Sequence, residues 1–306
     1  MEDNNSVENQ PAAVSEPAVA AGPCRPSFPS WYDYLVLAVL FVISQAVIGF
    51  VALKCGYTAD IVQQIAAPEA GPHSLPDTTM NTVARATALG YVAGMAAMVV
   101  MTLIYRRLRG GRGRVARFSP RGFDPALLLD GFIVVLAGNV VLEPIAELLP
   151  GTPDYDMLGR GGWALLSTVV CAPLFEEFLF RGVILEAVRR RRGVVAAWLI
   201  SSVCFGLAHG LPSQMLMTGA IGLVLGYVCI RSGSLFSSIL LHGLNNALAM
   251  LLLLIGMGDS SFSELLGGGR LYWAVYAVSA AIFIWWAVSA CRTIWRIKKS
   301  ELKNQN

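Results

Sequence analysis

Residues 163–188 read WALLSTVVCAPLFEEFLFRGVILEAV. The run is long and apolar enough to cross a bilayer as one helix, which takes about 20 such residues. Yet it carries Glu176, Glu177 and Arg181 near its middle. Seven more apolar runs surround it, at 33–53, 83–105, 125–149, 194–210, 213–230, 235–256 and 271–292. Together they predict an all-α, polytopic membrane bundle of about eight transmembrane helices, the fifth and sixth being short. Composition agrees: of 306 residues, 55% are hydrophobic and 14% charged, against roughly 25% charged in a soluble domain. So few charges cannot solvate a soluble surface of this size, which excludes a cytosolic or secreted enzyme, a disordered chain and a nucleic-acid binder.

The chain divides into four parts. Residues 1–30 are polar, acidic and rich in Pro and Ala, without the basic start of a signal peptide, and read as a disordered cytoplasmic tail. Residues 31–162 hold the N-terminal transmembrane helices, 163–256 the polar motifs, and 257–306 the last transmembrane helix with a basic tail. Arg106, Arg107, Arg109, Arg112, Arg114, Arg117 and Arg121 crowd the link after the second span. Arg189 to Arg192 follow the fourth, Arg231 the sixth, and Arg292, Arg296, Lys298 and Lys299 the eighth. With eight crossings all these clusters fall on one side, so the positive-inside rule predicts a multi-pass protein with both termini cytoplasmic. The six cysteines form no Cys-x-x-Cys pair and lie mostly in apolar runs, where Cys acts as a small hydrophobe. Gly222 and Gly226 have the small-xxx-small spacing that lets helices approach. Trp285, Trp286 and Trp295 read as an interface belt. His73, Asp130, Asn139, Glu143 and Glu147 read as interfacial or packing residues.

A charge at the bilayer centre costs several kcal/mol and is rarely kept without a role. Glu177 and Arg181 are four apart, share a helical face and form an ion pair with the acid in the favoured N-terminal position. Glu176, five residues from Arg181, points elsewhere and is left free. Pro173 removes a backbone donor and frees a carbonyl one turn earlier, opening room beside Glu176. Phe205 and His209 lie one turn apart at the end of a short span, and His242 and Asn246 share a face of the seventh. Two of the three histidines thus sit in apolar spans. Glu176, His209, His242 and Asn246 suit two chemistries: a catalytic zinc with two His and a carboxylate, or a metal-free site in which Glu176 activates water and the others stabilise the oxyanion. Either implies hydrolysis of an amide bond. By spacing alone the same residues equally suit a proton or ion pathway.

The motifs Glu176-Glu177-Phe178-Leu179-Phe180-Arg181, Phe205-Gly206-Leu207-Ala208-His209 and His242-Gly243-Leu244-Asn245-Asn246 resemble the Glu-Glu-x-x-x-Arg, Phe-x-x-x-His and His-x-x-x-Asn signature of the CPBP intramembrane proteases, the group of CAAX prenyl proteases and bacteriocin-processing (Abi) enzymes. The resemblance covers about residues 163–256. It implies an eight-span, CAAX prenyl protease-like intramembrane metalloendopeptidase of a bacterial cell membrane. In it Glu176 activates water, and Glu176, His209, His242 and Asn246 hold a divalent metal, zinc, unless the histidines and Asn246 bind the oxyanion directly. Glu177, Arg181 and Phe205 support them. The implied partners are the lipid bilayer and a membrane-associated or prenylated-type peptide or protein substrate, with no nucleic acid. Two other readings stand beside it: a non-catalytic membrane scaffold, and a transporter or proton relay. One expectation is awkward. Straight helices would leave His209 and His242 roughly 10–15 Å apart in depth.

Overall fold

The computed structural model describes residues 28–57, 77–110, 116–151, 161–258 and 260–304. The expectations for most of the N-terminal tail, for Cys24 and His73, and for Arg112 and Arg114 lie outside these residues. Among the described residues every regular element is helical. Helix α1 (Trp31–Lys54) starts at a capping box between Ser30 and Asp33. Helix α2 (Asp77–Leu108) follows. Helix α3 (Pro125–Ala146) is capped by the Asp124 carboxylate, with Pro125 at its first position.

A continuous helical stretch, Gly162–Leu207, comes next and is long enough for two crossings. Gly193 breaks it at φ 82°, ψ 173°. The Phe180 and Phe205 rings, 25 residues apart, touch with centroids 5.2 Å apart. A straight helix would hold them about 37 Å apart. The chain therefore doubles back at Gly193, making residues 162–192 helix α4 and residues 194–207 helix α5. Helix α6 (Pro212–Ser232) ends at left-handed Gly233. Helix α7 (Leu235–Leu254) is capped by the Ser234 hydroxyl, and helix α8 (Gly269–Lys303) closes the chain. Among the described residues, splitting at Gly193 turns seven long apolar segments into the eight helices expected. The bounds differ at the ends: α3 stops at Ala146, and α5 stops before His209, which lies beyond the helix.

At Gly193, φ and ψ fall in a region essentially restricted to glycine. A Cβ there would meet nothing within 4 Å, so a substitution costs strain alone. Gly193→Ala should lower stability by about 1–3 kcal/mol, read as an earlier thermal unfolding transition in detergent. An unchanged transition would show that the reversal does not depend on glycine.

The core lies where α3, α4, α5, α6 and α7 meet, around Phe180, Trp198, Phe205, Leu225 and Leu241. Small residues set the helix spacing. A Cβ on Gly226 would stand 3.1 Å from Trp198 Cδ1, and one on Gly222 would stand 3.2 Å from Phe205 Cδ1, as the small-xxx-small spacing predicted. Gly206 packs tighter still, its Cβ position 2.8 Å from Met215 O. In α2, Gly90 and Gly94 bring α1 close: their Cβ positions lie 2.8 Å from Ile48 O and Ser44 O. Leu35, Val39 and Val42 of α1 and Trp285 and Ile284 of α8 are exposed, which suits lipid and not water. The arginine-rich link after α2 is tied across the bundle end. Ala116 N donates to Gly182 O at 3.2 Å, Leu235 N to Arg117 O at 3.0 Å, and Ser234 Oγ to Ser119 O at 2.6 Å.

Candidate active site in the helical core

Helix α4 does not stay α-helical around its two glutamates. Leu166–Cys171 and Phe178–Leu185 are π-helical, flanking the α-helical turn Ala172–Glu177. Single wide turns of this kind recur at functional sites. Pro173 explains part of the first one. It has no N–H, and Ala172 N–H bonds Ser167 O instead of Thr168 O. Thr168 O thereby loses both its α-type and its π-type backbone donor. The side chain of Asn246 takes their place, its Nδ2 donating to Thr168 O at 2.9 Å. Gly243, one turn earlier on α7, allows this approach, because a Cβ there would stand 3.2 Å from Val169 O. Pro173 itself faces α7, its Cγ 4.0 Å from where a Cβ on Gly243 would stand.

The contact ties α7 to α4, one turn from His242 and two turns from Glu176. Glu176 Oε2 lies 3.9 Å from His242 Nε2. Its other oxygen, Oε1, accepts a hydrogen bond from the Tyr91 hydroxyl of α2 at 2.6 Å. Glu177 is fully buried. Its Oε1 accepts from Arg181 Nη1 at 2.6 Å, the pairing that the four-residue spacing predicted. The same oxygen also lies 3.1 Å from His242 Nδ1. Arg181, buried as well, donates through Nη2 to Gly222 O at 3.1 Å and lies over the Phe205 ring, 4.4 Å from its centroid.

Phe205 is the hub. The His209 ring packs against it at 5.0 Å between centroids and the His242 ring at 5.6 Å, both edge-on. The depth gap expected between the histidines is bridged by Phe205, on which both rings pack, and His209 turns back along its own chain with its Nδ1 2.9 Å from Phe205 O. A carbonyl and a carboxylate only accept, so each histidine carries its hydrogen on Nδ1. In their neutral forms both rings present a bare Nε2. From α3, Asn139 Nδ2 reaches Asn245 Oδ1 at 3.5 Å, and Asn245 Nδ2 lies 3.4 Å from Asn246 Oδ1. Asn139, expected to be a packing residue, thus ends a chain of amides leading to the site. Glu143 has a structural partner: it accepts from Phe262 N at 2.9 Å, next to the single turn Phe262–Leu265.

The bare Nε2 atoms and Glu176 have the donor chemistry of a zinc site, with the Nδ1 atoms held by a carboxylate and a carbonyl as metal-binding histidines usually are. The positions do not complete it. Among the described residues, no three His, Cys, Asp or Glu side chains come together as a group that could hold an ion. Asn246, expected among the ligands, turns its Nδ2 to Thr168 O. Of the expected set, Glu176 faces His242, the His209 and His242 rings pack on Phe205, and Asn246 reaches Thr168 O. Tyr91 and the second contact of Glu177 are absent from the expected site. A hydroxyl deep in an apolar span, which needs a buried partner, was the available signal for Tyr91.

A family model described as "Type II CAAX prenyl endopeptidase Rce1-like" matches residues 160–248. The chain is 23% identical over 169 residues to the "Putative membrane peptidase YdiL" of Bacillus subtilis (strain 168), covering 53% of this chain and 69% of that protein. It is 39% identical over 84 residues to an "Uncharacterized 24.3 kDa protein" of Escherichia coli, covering 26% of this chain and 38% of that one. No solved structure matches the chain. The matched segment holds all of α4, α5 and α6 with most of α7, and it includes Glu176, Phe205, His209 and His242. Residues 160–248 are thus similar to the CAAX prenyl endopeptidase group of the CPBP family of membrane proteins.

Proposed function

We propose that this protein is an intramembrane endopeptidase that hydrolyses a peptide bond of a membrane-associated or prenylated-type substrate. One observation carries the reading: a glutamate oxygen faces a histidine nitrogen at 3.9 Å in a buried layer, each member held on its far side by a separate partner. The spacing is too long for a direct hydrogen bond and suits a water beside both atoms. Glu176 Oε2 takes a proton from that water as its O–H bond breaks, and the resulting hydroxide adds to the peptide carbonyl carbon. The C–N bond of the tetrahedral intermediate then breaks, and the proton passes to the leaving nitrogen. His242 accepts or relays a proton at Nε2. In its protonated form it donates to the oxyanion, while Glu177 on Nδ1 balances the charge, as the buried aspartate does in serine-protease triads. His209 offers its Nε2 from the other edge of Phe205. Asn246 holds the distorted turn below Glu176 through Thr168 O, so its remaining amide hydrogen is the one left for substrate.

The test is cleavage by purified protein of a panel of lipid-anchored and prenylated peptides in detergent or vesicles, with products identified by mass spectrometry. Cleavage that requires Glu176 supports the reading; a panel left intact by wild type and Glu176→Gln alike counts against it. Metal analysis separates the two chemistries. In the reading proposed here, less than one zinc per chain copurifies and chelation leaves cleavage unchanged. One zinc per chain, lost in His209→Ala together with activity, would establish the metal mechanism instead.

A further inference from the structure

Tyr91 comes from α2, outside the segment that the family model matches. Its hydroxyl, 85 residues away in sequence, lies 2.6 Å from Glu176 Oε1, a length typical of an O–H donor on a carboxylate. The glycines beside it, Gly90 and Gly94, pack so close to α1 that Cβ atoms on them would stand 2.8 Å from the Ile48 and Ser44 carbonyl oxygens. Helix α2 is thereby fixed from behind while it presents Tyr91 to α4. A glutamate side chain has three rotatable bonds and holds one geometry only if something restrains it. His242 does not bond Glu176 directly at 3.9 Å, and Arg181 is spent on Glu177. Among the described residues, Tyr91 is the hydrogen-bond partner of the carboxylate.

We propose that Tyr91 is a positioning residue for hydrolysis: it engages Glu176 Oε1 so that Oε2 is the oxygen turned to His242 and to the attacking water. The inference rests on the endopeptidase reading and makes the N-terminal helix pair a working part of the site. A base held within a few tenths of an ångström of its productive geometry acts in the chemical step and not in substrate binding.

Tyr91→Phe removes the hydroxyl and keeps the ring. The expected result is a kcat lowered about tenfold with KM within about twofold of wild type. In a Glu176→Asp background, whose carboxylate is too short for the hydroxyl to reach, Tyr91→Phe should have no further effect. An infrared readout is independent of activity. The carboxylate band that disappears in Glu176→Gln should move in Tyr91→Phe. It should also move when 3,5-difluorotyrosine, the same shape with a more acidic phenol, replaces Tyr91, which covers the case in which Tyr91→Phe fails to fold. An unmoved band, an unchanged kcat, or a loss confined to KM overturns the role of Tyr91. None of these touches Glu176 as the base, which stands or falls on the loss of cleavage in Glu176→Gln.

Discussion

Glu176→Gln should abolish cleavage, by about 10²- to 10⁴-fold, the usual contribution of a general base, while the protein expresses, folds and melts like wild type. The amide has the size of the carboxylate and keeps an oxygen for the Tyr91 hydroxyl at 2.6 Å. It has no basic oxygen to take the proton of water. Glu176 is also the less buried of the two acids, with a side-chain exposure of 15% against 0% for Glu177, so neutralising it removes no buried ion pair. The loss should lie in kcat, and the variant should still retain substrate, which makes it the form with which to trap and identify one by mass spectrometry. Residual activity within tenfold of wild type would end the assignment of Glu176 as base.

Arg181→Ala should cost far more stability than any surface change, about 3–5 kcal/mol, because it leaves a fully buried carboxylate without its counter-charge. Three contacts go at once: the 2.6 Å bond to Glu177, the 3.1 Å bond to Gly222 O and the cation–π contact with Phe205. The measurement is the thermal transition in detergent alongside the yield of folded protein. The double variant Glu177→Gln/Arg181→Met is the informative partner. Exchanging both charges for neutral groups of similar size should restore most of the stability. It should not restore cleavage, since His242 Nδ1 then faces an amide in place of a carboxylate. A double variant that regains both would reduce Glu177 and Arg181 to a structural pair.

The fold was legible because burial in lipid leaves a coarse record. Each crossing needs its own apolar run, and eight runs were visible even though the structure merges two across Gly193. What a run does not encode is the direction of the chain beyond it, and a single glycine at φ 82° decides that. Contacts between residues one turn apart in sequence were legible too: Glu177 with Arg181, and His209 with Phe205. Contacts between helices were not. Nothing local to Glu177 announces His242, 65 residues on, and nothing near Pro173 announces that the freed carbonyl meets Asn246. The depth gap between the histidines came from treating helices as rods with side chains at the height of their own Cα. In fact the ring of His209 turns back by a turn.

The doubling back at Gly193 bears on how such a chain enters a membrane in the first place. In chain order α4 and α5 precede α7, so a chain inserted as it is synthesised would carry two glutamates and an arginine into lipid before His242 is available. Glu177 and Arg181 lie four residues apart on one helix, so their charges can offset each other within the α4–α5 hairpin before Gly222 and His242 add their contacts. Glu176 meets Tyr91, which is already in place on α2. The polar load is therefore quenched from upstream and from within. His242, the last member to arrive, joins a carboxylate layer that is already assembled, and the site stays incomplete until the seventh helix docks.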